Sequence, residues 1–292
     1  MIVRRANRTQ VLSKSPAGTS DICVVRDIVM LLFDLGGRVM CRRFVCMVAV
    51  AVMMGLVSEA SADLVGWWKL DEGDGTTVAD SAGPSNGTIT GAMWVDDAVR
   101  GWVLSFGGSD YVDLDLSGGS SFATITDGTT VAFWMHGYDD LGGSGLSNVP
   151  FHARVEGVSE IYLQHPHKSD KTYWYAPGAE YVRVDLPEDQ VEGIWSHWAF
   201  TKDATTGDMK IYQNGVEIAT AGGKTALLNG SGITAARIGM HVGGIFGFHG
   251  MLSDVRLYDR ALSQSEVMAV VPEPATICLL GLGGLVLLRK KR

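Results

Sequence analysis

Between residues 63 and 270, apolar and polar residues alternate in short runs, and Gly, Asn and Asp interrupt the runs at close intervals. No other feature narrows the fold as much. A period of two puts every second side chain on one face of a strand, whereas an amphipathic helix repeats near 3.6. The runs are Leu64 to Leu70, Trp102 to Phe106, Tyr111 to Leu116, Thr130 to Met135, Ile161 to Gln164, Tyr181 to Leu186, Ser196 to Thr201, Met209 to Gln213, Val216 to Ala219, Ala236 to Met240 and Met251 to Tyr258. Val, Ile, Tyr, Phe and Trp dominate them, as expected of a pleated, half-buried surface. Tyr212-Gln213-Asn214-Gly215-Val216 places Asn-Gly between two runs, the pair that a type I′ hairpin turn requires at its two positive-φ positions. Only Ser263 to Val270 reads as helix. Many short strands with frequent turns predict an all-β fold, an antiparallel β-sandwich or jelly roll. Trp68, Leu70, Leu104, Phe106, Val112, Phe133, Ala199, Ile211, Val255 and Leu257 are the positions expected to face inward. Trp195 and Trp198 read as core or corner residues.

Both ends of the chain depart from this pattern. Met40-Cys41-Arg42-Arg43, the apolar stretch Phe44 to Val57 and Ala60-Ser61-Ala62 follow the layout of a secretory signal peptide over residues 40–62. That layout implies export by the Sec route and a mature chain from Asp63. It makes residues 1–39 either a mis-assigned start or a long basic leader. At the other end, Pro272-Glu273-Pro274 precedes an apolar run of 14 residues, Ala275 to Leu288, and the block Arg289-Lys290-Lys291-Arg292. The run falls short of the roughly 20 residues of a spanning helix, and the basic end holds the cytoplasmic side. With Gly281, Gly283 and Gly284 in the apolar run, residues 271–292 resemble the bacterial PEP-CTERM sorting signal. The resemblance implies an exosortase as processing partner, transient membrane anchorage through a C-terminal hydrophobic helix, and display at the cell surface, in the periplasm or in extracellular matrix. The alternative is an ordinary single-pass anchor.

Residues 63–271 carry 12 Lys and Arg against 27 Asp and Glu, a formal charge of −15, where the whole chain carries −8. Such a domain is a poor partner for nucleic acid or anionic lipid, which select a basic face. The charge suits solubility or cation binding. Cys23, Cys41, Cys46 and Cys278 all lie outside this stretch, so it has no disulfide or thiolate chemistry to use. Its length suffices for one domain held by its own core.

Five blocks, in order, resemble LamG-like jelly-roll domains of the concanavalin A-like type. They are Trp67-Trp68-Lys69-Leu70-Asp71-Glu72-Gly73 with Gly75 to Gly83; Gly101 to Gly108 leading into Asp110-Tyr111-Val112; Thr130 to Trp134; Trp195 to Thr201 with Lys210 to Gly215; and Phe248 to Ser263. Together they cover nearly all of residues 63–270. The resemblance implies two stacked antiparallel sheets and a module that binds carbohydrate or protein. It also implies a structural calcium held by Asp80 and Asp254, with Asn86 as a further ligand, since Ca²⁺ collects six to eight oxygens. The alternatives are that Asp80 caps its own turn and that Asp254 pairs with Arg256 or Arg260.

Catalytic chemistry finds little support. Glycoside hydrolysis takes two carboxyl groups flanking the bond, and the Glu-x-Asp-x-x-Glu pattern of the catalytic branch of this fold lies on none of the runs. Asp71-Glu72-Gly73-Asp74 and Glu188 to Glu192 fall among turn residues, and the spacing of Asp110, Asp113 and Asp115 mixes faces. A nucleophile triad is no better supported, and no Gly-x-Ser-x-Gly elbow is expected. His165-Pro166-His167 could suggest a transition metal, but the intervening Pro and the lack of a third ligand favour a loop. His136, His152 and His241 stand isolated. The chain is expected not to be an enzyme. Its most individual segment, Gly137 to Glu192, is dense in aromatics, and Tyr162, Trp174, Tyr175 and Tyr181 are the candidate ligand platforms. The expected role is a carbohydrate-recognition module; the alternative is a structural or adhesive matrix protein that contacts other proteins, and a glycoside hydrolase comes third.

Overall fold

The computed structural model describes residues 64–138, 148–156, 158–167, 171–186 and 190–271. The signal segment over 40–62, Pro272-Glu273-Pro274, the apolar run Ala275 to Leu288 and the Arg289-Lys290-Lys291-Arg292 block lie outside the described residues. Among the described residues, no helix is long and apolar enough to cross a membrane.

The alternating runs pair into two antiparallel sheets of eight strands each. Sheet A orders β14 (Val216–Ala221), β13 (Asp208–Gln213), β12 (Trp195–Asp203), β7 (Gly128–Gly137), β16 (His249–Tyr258), β5 (Gly101–Gly107) and β4 (Met93–Asp97), with β1 (Leu64–Trp68) beside the second half of β16. Sheet B orders β11 (Glu180–Asp185), β10 (Lys171–Ala176), β9 (Val158–His167), β8 (Phe151–Val155), β15 (Ala235–Ile238), β6 (Tyr111–Leu114), β3 (Gly87–Thr90) and β2 (Thr77–Val78). The expected Asn214-Gly215 turn joins β13 to β14, with φ of 50° and 80°. All runs recognised in the sequence are strands. The pattern did not isolate β2, β3, β4, β8 and β10, whose short lengths or polar outer residues blur the alternation.

The inner faces close on one apolar layer. It holds Trp68, Leu70, Leu104, Phe106, Val112, Phe133, Ile211, Val255 and Leu257, as expected from alternation, and Trp198 with them. Ala199 is a correction. It points to the opposite side of sheet A, where Ala132, Tyr212 and Tyr258 pack with Val267 and Val270 of the helix α1 (Gln264–Val270). Small side chains there leave room for the helix to approach the sheet. Ser263 starts α1 through a reciprocal capping box with Glu266. Two polar ties cross the core. The indole N–H of Trp174 on β10 donates to the carbonyl of Thr201 on β12 at 3.0 Å. The fully buried ammonium of Lys202 lies 2.6 Å from Glu180 and 2.8 Å from the carbonyl of Lys224.

His165-Pro166-His167 is not a loop but the end of β9. Its pairing with β10 shifts register between Lys171 and Tyr173. Pro166 lacks an N–H to continue the ladder, and a bulge absorbs the break. The His165 ring is buried against Trp198 at 3.8 Å, and burial pushes its pKa down to about 3.

Candidate functional site

Cross-strand register assembles residues far apart in sequence into one row across sheet B. Tyr181 faces Tyr175, Tyr175 faces Tyr162, Tyr162 faces His152, His152 faces Arg237, Arg237 faces Asp113, and Asp113 faces Thr88 opposite Thr77. Directly opposed residues share a face. Their neighbours Val182, Trp174, Leu163, Ala153, Ala236 and Val112 point the other way into the core, so the row lies on the outer side.

Tyrosine makes up one end. The rings of Tyr175 and Tyr162 lie 5.4 Å apart and 24° from parallel, and those of Tyr173 and Tyr175 lie 5.3 Å apart at 11°. Tyr181 adds a tilted ring at 5.6 Å from Tyr175 and is 42% exposed. Burial pushes the Tyr162 hydroxyl up to about 12 and raises that of Tyr175. Both phenols therefore stay protonated at neutral pH and can donate. Gln164 donates its amide N–H to the Tyr162 hydroxyl.

The middle of the row is built on imidazole. His152 is fully buried, and its Nδ1 accepts the Val242 N–H at 3.0 Å. Burial pushes its pKa down to about 3, with His241, Arg154 and Arg237 adding to the effect. A neutral ring is what the accepting Nδ1 requires. The His241 ring stacks on it at 4.0 Å, so two histidines isolated in sequence meet in space. At the far end, Arg237 grips Asp113 at 2.7 Å and lies 3.9 Å over the Tyr111 ring. Beside this pair an open groove of about 680 Å³ is lined by Thr88, Thr90, Ser117 and Thr234 and also by Asp113 and Asp115, two acids that were expected to fall on different faces.

Three of the four aromatic residues singled out in the sequence therefore come together: Tyr162, Tyr175 and Tyr181. Trp174 is the correction. It is wholly buried, because alternation along β10 turns Thr172, Trp174 and Ala176 inward and Tyr173 and Tyr175 outward. Tyr173 takes the place expected of Trp174. His152, His241, Arg237 and Asp113 were not foreseen as one site, since only pairing between distant strands unites them.

The residues expected to hold calcium do not fit an oxygen cage. Asp80 spends one carboxylate oxygen on the N–H groups of Trp67, Ala82 and Gly83, and the other on Ser85 N–H and the Ser121 hydroxyl at 2.6 Å. Asn86 Oδ1 accepts from Asp80 N–H. Asp254 sits on a bulge of β16 at φ 56° and accepts from the Trp67 indole N–H at 2.6 Å and from Arg256 at 3.0 Å through both of its oxygens. These carboxylates organise N–H donors around Trp67. Among the described residues no group of three His, Cys, Asp or Glu side chains is placed to hold a metal ion. Gly83-Pro84-Ser85-Asn86-Gly87 corrects the expectation of no Gly-x-Ser-x-Gly, since it has those letters, but Ser85 is buried and β3 rather than a helix follows it.

An antiparallel sandwich with an aromatic outer face belongs to a recognisable class. The chain is a member of the concanavalin A-like lectin/glucanases superfamily, whose Laminin_G_3 model matches residues 106–268, over half of its length. Residues 270–292 match the PEP-CTERM protein-sorting motif. Among solved structures, the chain is similar to domain 4 of AbnA, a GH43 extracellular arabinanase from Geobacillus stearothermophilus, in complex with arabinotriose. Identity is 19% and the TM-score 0.53, over 72% of this chain and 98% of that one. It is also similar to the botulinum neurotoxin serotype D ligand-binding domain in complex with N-acetylneuraminic acid (17%, TM-score 0.54, 72% of this chain and 51% of that one). A third is Trypanosoma rangeli sialidase (18%, TM-score 0.53, 72% and 32%). The chain thus spans about half of the second protein and a third of the last. At this identity the likeness establishes the fold. No curated protein matches the chain.

Proposed function

We propose that this chain is an exported, non-catalytic recognition module that holds carbohydrate against the outer face of sheet B. The observation that carries the reading is the row of Tyr181, Tyr175 and Tyr162 on three adjacent strands, with Tyr173 stacked alongside. Flat rings on a rigid sheet offer apolar surface to the C–H faces of sugar rings, with phenol hydroxyls as hydrogen-bonding groups at their edges. The threonine-lined groove extends the same chemistry along the row. Sugars in two of the similar structures support this ligand class. Of the two carboxylates along the groove, Asp113 and Asp115, the first is tied to Arg237, which favours holding over hydrolysis. The sorting motif supports display outside the cell, with a Sec signal at residues 40–62 and exosortase processing near Pro272-Glu273-Pro274 as parts of the same proposal.

A glycan array probed with the full chain tests this reading. Selective binding is expected, falling about ten-fold or more when Tyr162 and Tyr175 are both replaced by Ala, with the far-UV circular dichroism unchanged. Failure of the parent chain to retain any glycan would overturn the proposal and favour the protein-adhesive alternative.

A further inference from the structure

On the reading that the outer face of sheet B holds carbohydrate, we infer that the ligand is an anionic polysaccharide whose sugars carry carboxylate or sulfate groups. The domain as a whole is strongly acidic, with 27 Asp and Glu against 12 Lys and Arg over residues 63–271. Five of these twelve cations nevertheless border this face. Arg237 lies in the row, and Arg183 stands directly opposite Tyr173. Arg154 shares the outer side of β8 with His152, and Lys171 that of β10 with Tyr173 and Tyr175. The ammonium of Lys224 lies 5.7 Å over the Tyr181 ring.

The acids on the same face answer only some of these charges. Asp113 holds Arg237, and Asp185 stands 3.8 Å from Lys171. Glu180, at the rim, is engaged by the buried Lys202. Arg154 and Arg183 carry no ion pair among the described residues. Their charge reaches the row, Arg154 bearing on His152 and Arg183 on Tyr175. The tyrosine platform is thus bordered by two guanidinium groups that form no ion pair among the described residues, on a body that otherwise repels polyanions. Planar guanidinium forks match the two oxygens of a carboxylate or sulfate. A ligand that stacks on Tyr162 and Tyr175 while bringing its own oxyanions would meet both demands.

Affinity electrophoresis of the full chain against dextran, dextran sulfate and polygalacturonate at low and high salt tests this inference. At least one acidic polymer should bind about ten-fold more tightly than dextran at low salt, and the advantage should shrink as salt screens the charges. The retained polymer distinguishes a sulfate from a carboxylate ligand. Replacing Arg154 and Arg183 together by Gln should reduce acidic-polymer binding about five-fold to ten-fold and leave dextran binding unchanged. Equal retention of neutral and acidic polymers would overturn the anionic assignment while preserving the carbohydrate reading. Loss of both kinds of binding only in the Tyr162/Tyr175 variant, with the Arg variant unaffected, would do the same. No retention of any polymer by the parent chain, together with an empty glycan array, would remove the carbohydrate reading itself.

Discussion

Sheet A and sheet B each turn an outer face away from the shared core, and among the described residues the first is covered further than the second. On sheet A, α1 lies over Ala132 and Ala199, with Tyr212 and Tyr258 filling the sides. Further along, the Arg100 guanidinium sits 4.2 Å over Trp134 and 5.5 Å from Trp195, while Asp97 accepts from the Trp195 indole at 3.1 Å. On sheet B, among the described residues, the segment with His241 and Val242 meets the row at His152, and Lys224 lies over Tyr181 at its end. The contrast separates two uses of aromatic residues. Trp134 and Trp195 of sheet A are covered by the Arg100 guanidinium, whereas Tyr162, Tyr173 and Tyr175 of sheet B stack on one another and Tyr181 stands 42% exposed.

The largest effect that could break this comparison comes from adjacent residues of β10. Trp174→Ala should destabilise the fold by about 3–5 kcal/mol, because it removes a fully buried indole and its cross-sheet hydrogen bond. Tyr175→Ala should cost far less stability and weaken binding instead. Urea unfolding of the two variants decides it; equal destabilisation would mean that Tyr175 belongs to the core and not to an open face.

A smaller effect comes from acid. Burial holds His165, His197 and His152 near pKa 3 in the folded chain, against 6.5 when exposed. Between pH 6.5 and 3 the unfolded chain binds protons that the folded chain does not. The stability these rings contribute is therefore complete above about pH 6.5 and is lost as pH falls toward 3. At pH 5 each ring should have lost up to about 2 kcal/mol. His197→Gln, on the covered face of sheet A, should flatten the acid limb of a stability–pH curve by about one such increment; an unchanged slope would mean that the ring is already charged or solvated.

The smallest expected effect is none. Because Asp80 and Asp254 each already accept hydrogen bonds through both carboxylate oxygens, the melting temperature should be the same in chelator and in millimolar Ca²⁺. A rise with Ca²⁺ would show that the Trp67 surroundings rearrange around a cation.

Much of the fold was legible in the sequence because strands and turns are local devices. Alternation marked most inward residues, and Asn214-Gly215 marked its hairpin. The site was only half legible. The aromatic density around Trp174 was visible, but the phase of β10 was not read, and a shift of one residue in a strand exchanges core for surface. Reading Thr172, Trp174 and Ala176 as one face would have separated Trp174 from the tyrosines. No comparable signal joined His152 to His241, or Arg237 to Asp113, because nothing local links positions that distant pairing brings together.

The sequence by itself determined the strand periodicity, the cysteine-free core and the sorting motif at residues 270–292, since each depends on residues close together along the chain. Only the tertiary structure decided that residues 113, 152, 162, 175, 181 and 237 stand in one line, and that Asp80 and Asp254 both bond to Trp67. Ladder register between remote strands sets those meetings, and register arises from how two whole sheets bury their inner faces together.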